Sequence, residues 1–317
     1  MQIAAQRKPA VDVPSRFLSI TDFGPAELSA CLSLAAELKA ARNGRRAHGR
    51  PLEGHHVALL FEKPSLRTRS TFQIAVRELG GEVIEPQQDV ALGGRESLED
   101  VARNLERWVS AAVVRTFAQA RLEAFADAAP RLRVINALTD EEHPCQGLAD
   151  ALTLIEKFGD LRGRTIAFDG DGNNVARSLA QVVVMLGGSM RIASPAGFEL
   201  EPGAVESIRA CARLGSTFEM AVEPAAAVRG AHAIYTDVWT SMGQESEAAA
   251  RRDLFAPYQV NGSLMSLADS GALFMHCLPA HRGDEVTDEV IDSRASVVFD
   301  QAENRLHAQK ALLAMLA

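Results

Sequence analysis

Apolar and polar residues alternate along this chain in two recurring patterns. A continuous apolar run at 56–61 is typical of a buried strand, and a segment with helical spacing follows it. Four apolar residues of that segment recur at i, i+3, i+4 and i+7: Phe72, Ala75, Val76 and Leu79. Gly80 and Gly81 are placed to end the helix. Residues 65–69 therefore form the junction between a predicted strand and a predicted helix.

The same alternation continues to the end of the chain. In its first part we predict helices at 25–41, 97–109 and 120–128, and strands at 56–61, 111–114 and 133–138. After a helix that opens at 143, we predict strands at 165–168, 190–193, 217–220, 233–236, 272–276 and 297–299. Helices are also predicted from 175 and at 302–316. Short apolar strands alternating with helices predict parallel sheets.

We therefore predict an α/β fold with two doubly wound parallel-sheet domains and an interdomain active-site cleft. The first domain is expected at 1–140, with the C-terminal helix at 301–317 packing back on it. The second domain is expected at 141–300.

Composition excludes several classes of protein. With 317 residues, 47% hydrophobic and 23% charged, the chain has the length of two domains and the make-up of a soluble globular protein. A net charge of -8 argues against a nucleic-acid partner. The four cysteines form no CxxC pair or metal-ligand cluster, which predicts a reduced protein without a metal. No apolar signal core or membrane-length run is present in the sequence, so we expect a cytoplasmic location and no membrane partner.

The junction at 65–69, with the sequence SLRTR, carries the first candidate chemistry. Two hydroxyls and two guanidiniums accompany a helix start, whose unpaired N–H groups and positive dipole end favour an anion such as phosphate. A helix cap with solvated arginines would have the same sequence, so both interpretations stay open at this point. Arg115 ends an apolar strand and is expected at the mouth of the sheet.

Seven ordered motifs make the chain resemble the ornithine carbamoyltransferases over essentially its full length. They are FEKPSLRTR at 61–69, RT at 115–116, HPCQ at 143–146, DGNN at 171–174, DVWTSMG at 237–243, HCLP at 276–279 and ENR at 303–305. The resemblance implies the synthesis of citrulline and phosphate from carbamoyl phosphate and L-ornithine. It also implies a homotrimer or an assembly of trimers, with no metal and no organic cofactor.

The resemblance assigns the first set of roles to carbamoyl phosphate. Attack on the carbamoyl carbon places negative charge on its oxygen, which Arg115 and His143 would stabilise as donors. Gln146 would orient the carbamoyl amide, and Arg305 would add positive charge beside the phosphate. The implied ligands of carbamoyl phosphate are Ser65, Leu66 (through its backbone N–H), Arg67, Thr68, Arg115, His143, Gln146, Cys277, Leu278 and Arg305. Arg69 is expected to brace the loop.

The second set of roles concerns ornithine. The resemblance implies that ornithine is bound by Asn174, Asp237, Ser241 and Met242. A carboxylate such as Asp237 suits an α-ammonium group. Cys277 is implied to lie beside the side-chain amine, where it helps to remove a proton, so the catalytic residues are expected to be Arg115, His143 and Cys277.

Alternatives to an ornithine carbamoyltransferase remain. Family members usually have Thr where this chain has Leu66, and a polar residue where it has Ala91, which leaves open a catalytically weak homologue with a binding or scaffold role. A sibling transferase for a modified ornithine is a second alternative. Aspartate fits less well as acceptor because its second carboxylate would meet Asp237. A nicotinamide dehydrogenase is disfavoured because 169–174 lacks the G-x-G-x-x-G pattern.

Overall fold

The chain divides into two compact units. The structure, a computed structural model, describes residues 14–87, 92, 96–240 and 245–317. The first unit comprises the residues up to Leu152 together with Glu303–Ala317, and the second comprises Thr153–Ala302. Both divisions fall inside helices, Pro144–Phe158 and Val298–Leu316. No Gly or Pro lies next to either division, so the sequence does not mark these two points as domain boundaries. The sequence pattern led us to expect boundaries at 140 and 300 instead.

The first unit is built on a parallel five-stranded sheet in the order β1-β5-β4-β2-β3. Its strands are β1 (Arg16–Phe17), β2 (His56–Phe61), β3 (Glu82–Ile84), β4 (Ala111–Arg115) and β5 (Arg133–Leu138). The connecting helices are Pro25–Asn43, Arg67–Glu78, Leu98–Trp108 and Gln119–Ala128. The strand order reverses between β2 and β4, and ligands of such sheets bind beyond the carboxyl ends of the strands at this point.

The second unit contains another parallel five-stranded sheet, in the order β10-β9-β6-β7-β8. Its strands are β6 (Thr165–Asp169), β7 (Ser189–Ala193), β8 (Phe218–Ala221), β9 (Ala233–Thr236) and β10 (Leu273–His276). The helices described in it are Asn174–Met185, Pro202–Cys211, Pro224–Val228, Ala248–Phe255, Gly262–Met265 and Asp288–Ile291. Here the order reverses between β6 and β9. Two helix-flanked parallel sheets confirm the predicted fold class.

Buried apolar strands explain why the sheets form. β2 is buried at 57–61 and β4 is buried throughout, as is expected of strands covered on both faces by helices. Among the residues the structure describes, no helix combines the length and the apolar character that crossing a membrane requires.

The prediction of a strand at 297–299 is wrong. Ser296 makes one isolated bridge to Phe274, and the N–H of Val297 bonds to the carbonyl of Phe274 across 3.0 Å. The chain then turns at once into the helix Val298–Leu316, because the N–H of Gln301 bonds back to the carbonyl of Val297. Three consecutive apolar residues are too few to distinguish a strand from the first turn of a buried helix.

Candidate functional site

One group of candidate residues lies in the first unit, at the carboxyl end of β2, where the helix Arg67–Glu78 begins. Leu66 occupies the cap position, makes no side-chain cap hydrogen bond, and is 77% exposed. Thr68 is buried in the first turn, whereas Ser65 and Arg67 are partly exposed. The guanidinium of Arg69 pairs with Glu85 across 3.0 Å. The junction therefore presents the first helical turn, as the sequence predicts, while Arg69 is engaged elsewhere.

Arg305 connects this junction to a second helix of the first unit. Its Nη2 donates to Oγ1 of Thr68, and its Nη1 donates to Oε1 of Gln146. The side chains of all three residues are buried. Arg305 comes from the helix Val298–Leu316 and Gln146 from the helix Pro144–Phe158, so three helices meet at one guanidinium. These three sequence-predicted residues are brought together.

A further residue of this network was not predicted. Nε2 of Gln146 donates to Oδ1 of Asp150 across 2.7 Å, and Asp150 is fully buried one turn later in the same helix. The amide of Gln146 is thus held at both ends, with its oxygen toward Arg305. The i, i+4 spacing of Gln146 and Asp150 was the available signal, since such pairs face each other on a helix.

Arg115 and His143 are buried, and His143 lies close enough to Arg115 and Arg305 to feel the charge of both. Arg115 is the last residue of β4 and is 6% exposed, and His143 precedes the helix Pro144–Phe158 and is 5% exposed. Burial holds the pKa of His143 well below its ordinary value, and the positive charges of Arg305 and Arg115 lower it further. His143 is therefore a neutral imidazole at physiological pH. A neutral imidazole and a guanidinium are both able to donate to a developing oxyanion.

A second group of candidate residues lies in the second unit, at the carboxyl ends of β9 and β10. Asp237 follows β9 and Cys277 follows β10, and Sγ of Cys277 donates to Oδ1 of Asp237 across 2.9 Å. Nδ2 of Asn173 donates to Oδ2 of the same carboxylate across 2.8 Å. Sequence reasoning chose Asn174, the first residue of the following helix, and missed Asn173. Asn173 and Asn174 are adjacent at the start of a helix, so the sequence alone does not show that Asn173 is the residue that caps it.

Three predicted residues cannot be placed. Ser241 and Met242, expected to contact ornithine, and Ala91 lie outside the described residues. Trp239, two residues before Ser241, is described, and its carbonyl accepts a hydrogen bond from Nη1 of Arg251 across 3.0 Å. The same Nη1 lies 2.9 Å from Oδ2 of Asp171.

The chain bends at Leu278, within the turn of residues 277–280 that follows β10. Leu278 has a φ of 58°, which is uncommon for a residue other than glycine. Donor atoms of Asp237, His276 and Cys277 lie within 4.8 Å of one another, as metal ligands would. However, Nδ1 of His276 accepts the N–H of Leu278, and Nε2 lies 3.3 Å from Oε1 of Glu285. With both ring nitrogens engaged, His276 lacks the lone pair that a metal ligand needs.

Comparisons with known proteins assign a family domain to each part of the chain. The carbamoyl-P binding domain of the aspartate/ornithine carbamoyltransferases matches residues 15–156, and the Asp/Orn binding domain matches residues 162–316. The ornithine carbamoyltransferase of Parasynechococcus marenigrum is 50% identical over 301 residues, covering 95% of this chain and 93% of that protein. The enzyme of Thermus thermophilus is 47% identical and covers 97% and 98%. The structure of ornithine carbamoyltransferase from Pyrococcus furiosus matches with a TM-score of 0.93, 44% identity and coverage of 96% and 98%.

Proposed function

Because the chain belongs to the aspartate/ornithine carbamoyltransferase family, we propose that it transfers the carbamoyl group of carbamoyl phosphate to the side-chain amine of L-ornithine. The products are L-citrulline and phosphate. The observation that carries the proposal is the guanidinium of Arg305, which is held by Thr68 and Gln146 beside a neutral His143. Such a group of donors suits a phosphorylated carbonyl compound.

Carbamoyl phosphate binds through the first helical turn after β2. Ser65, Arg67 and Thr68 contact the phosphate, together with the backbone N–H of Leu66 and the guanidinium of Arg305. Guanidinium groups bind phosphate oxygens through charge-assisted hydrogen bonds, and the helix start adds N–H donors and a positive dipole end.

Arg115 and His143 stabilise the negative charge that develops on the carbamoyl oxygen. The amine lone pair forms the new C–N bond, the C–O bond to phosphate breaks, and phosphate leaves with the electron pair. The lowered pKa of His143 supports this role because a neutral imidazole still has an N–H to donate to the oxyanion. Oε1 of Gln146 has a second lone pair for the carbamoyl NH2, and the carbonyls of Cys277 and Leu278 are further acceptors.

Ornithine binds through residues of the second unit. Asp237 takes the α-ammonium group, with Asn174, Ser241 and Met242 as further contacts. Cys277 lies beside the side-chain amine and helps to remove its proton. The hydrogen bonds from Asn173 and Cys277 to Asp237 support this assignment, because they hold the carboxylate in one orientation.

Citrulline formation with different amines tests the proposal. L-Ornithine, N-acetylornithine and L-aspartate are compared at several carbamoyl phosphate concentrations. Ornithine should be favoured over N-acetylornithine by at least about thirtyfold, since leaving a buried carboxylate without its cation costs about 2 to 5 kcal/mol. A preference for the acetylated amine would favour the sibling transferase. No turnover with any of the amines would favour a binding or scaffold role.

The assembly and its location belong to the same proposal. We propose a homotrimer, or an assembly of trimers, that works in the cytoplasm in arginine metabolism. Apolar side chains on the surface of the first unit, Leu66, Ile74 and Ile84, support an association between copies of the chain. Sedimentation of the active enzyme should give a multiple of three chains, and a fully active monomer would contradict the proposal.

A further inference from the structure

A buried carboxylate brackets the turn that carries Cys277. Glu285 and His276 are both 0% exposed. Oε1 of Glu285 lies 3.3 Å from Nε2 of His276 and also accepts the backbone N–H of His281. The two donors stand on either side of residues 277–280, so one oxygen atom joins the two ends of the turn.

His276 extends this contact into the turn itself. Nδ1 of its ring accepts the backbone N–H of Leu278 across 2.8 Å, so the proton of the neutral ring is assigned to Nε2, where it is donated to Glu285. The backbone N–H of His276 is bound by Oε1 of Gln301 across 3.0 Å, and Nε2 of Gln301 donates to the hydroxyl of Tyr235 across 3.0 Å. The residue before Cys277 is therefore held by its main chain and by both ring nitrogens.

The conformation of Leu278 explains why the turn needs such support. A positive φ is unfavourable for a leucine, and it persists only where the surroundings impose it. The hydrogen bond from the Leu278 N–H to His276 fixes the peptide group between Cys277 and Leu278. The direction of the Cys277 carbonyl follows from the orientation of that peptide group.

We propose that Glu285 and His276 are positioning residues that fix the turn at 277–280, and with it the Cys277 thiol and the two carbonyls that receive the carbamoyl NH2. The proposal rests on the proposed function for its consequence on turnover, although not for the turn itself. Neither residue touches substrate. Both act through the backbone of Cys277 and Leu278.

Two variants of Glu285 test whether its acceptor oxygen, rather than its charge, fixes the turn. Glu285→Gln keeps an oxygen that accepts from His276 and His281, so kcat should stay within about threefold of the original enzyme. Glu285→Ala removes the acceptor, so kcat should fall at least about tenfold. The KM for carbamoyl phosphate should change less than kcat does, because the phosphate group binds to the first unit and only the carbamoyl NH2 meets the turn. Asp284→Asn, which changes the neighbouring acidic residue paired with exposed Arg252, is the matched control and should leave kcat unchanged.

Two variants of His276 test each ring nitrogen, and they decide the question if Glu285→Ala does not fold. In His276→Asn the amide oxygen replaces Nδ1 and can still accept the Leu278 N–H. In His276→Gln the amide reaches the position of Nε2 instead. Hydrogen exchange of the Leu278 amide should therefore stay slow in the Asn variant and quicken at least about tenfold in the Gln variant.

Hydrogen exchange needs no turnover, so it separates this inference from the proposed function. If the original enzyme makes no citrulline, the proposed function fails while the exchange rates still decide the role of the turn. Equal protection of the Leu278 amide in the two His276 variants would overturn the inference. An equal loss of kcat in Glu285→Gln and Glu285→Ala would overturn it as well.

Discussion

The thiol of Cys277 donates to Oδ1 of Asp237 across 2.9 Å, and Asn173 occupies the other oxygen of this carboxylate. The carboxylate is buried to 7% exposure, so a cation that binds it replaces contacts with protein rather than with water. We therefore expect this carboxylate to favour an amine substrate with an α-ammonium group.

Asp237→Asn should therefore reduce the selectivity between ornithine and N-acetylornithine. The neutral amide no longer attracts the α-ammonium group, so kcat/KM for ornithine should fall by about tenfold to a hundredfold. The value for the acetylated amine should change little. Steady-state kinetics with both amines measure the effect, and an unchanged ratio of the two values would remove Asp237 from the ornithine site.

Arg67 and Arg69 offer a matched comparison for phosphate binding. Arg67 begins the helix after β2, whereas Arg69 already pairs with Glu85 across 3.0 Å. Arg67→Ala should weaken carbamoyl phosphate binding by about tenfold to a hundredfold, since one charge-assisted contact contributes roughly 1.5 to 3 kcal/mol. Arg69→Ala should have a much smaller effect. Calorimetry gives both dissociation constants, and equal values for the two variants would refute the assignment.

Leu66→Thr provides the opposite test at the same junction. The exposed leucine at the cap position contributes no side-chain hydrogen bond, whereas a threonine hydroxyl can accept from a backbone N–H or donate to phosphate. The dissociation constant for carbamoyl phosphate should fall or stay the same. Weaker binding by this variant would show that the leucine side chain itself serves the site.

The fold was largely predictable from sequence, because most of the strands that the structure describes are short apolar runs with helical segments on either side. The two-residue strand β1 and the exposed strand β3 lack such a pattern and were not predicted as strands. Among the site residues, the motifs identified Thr68, Gln146 and Arg305, and Arg305 does contact the other two. Asp150 and Glu285 could not be found in this way, since their contacts depend on how buried side chains and a turn are arranged in space.

Asp150 should control the orientation of the Gln146 amide. Asp150→Ala removes the acceptor, so the Gln146 amide can flip and turn its own NH2 toward Arg305. Two donors would then oppose each other, so kcat/KM for carbamoyl phosphate should fall by about tenfold or more. Asp127→Ala makes the same change at an exposed residue paired with Arg16 and should have no effect. Normal kinetics in the Asp150 variant would leave this carboxylate with a purely structural role.

Asp169, at the end of β6, should make the stability of the protein depend on pH. It is fully buried, neither carboxylate oxygen has a hydrogen-bond partner among the described residues, and burial raises its pKa well above the ordinary value. A raised pKa in the folded state means that stability is complete below about pH 4, the unfolded value, and is lost as pH rises through the folded value.

The Asp169→Asn variant should not lose stability in this way as the pH rises. The difference in free energy of unfolding between variant and original should grow in favour of the variant by up to about 1.4 kcal/mol per pH unit above about pH 4. Urea unfolding at pH 5, 6 and 7 measures it. A difference that stays constant over this range would show that Asp169 is ionised in the folded protein.

Carbamoyl transfer itself is tested most directly by following the transferred carbon. Carbamoyl phosphate labelled with 13C is mixed with L-ornithine and enzyme, while 13C NMR and phosphate release are recorded together. The account predicts that the label appears in the ureido group of citrulline, with one phosphate released for each citrulline formed. Arg115→Ala and His143→Ala should form the same product more slowly, by about 10² to 10³. Phosphate release without a labelled ureido carbon, or no reaction of the folded enzyme, would contradict the account.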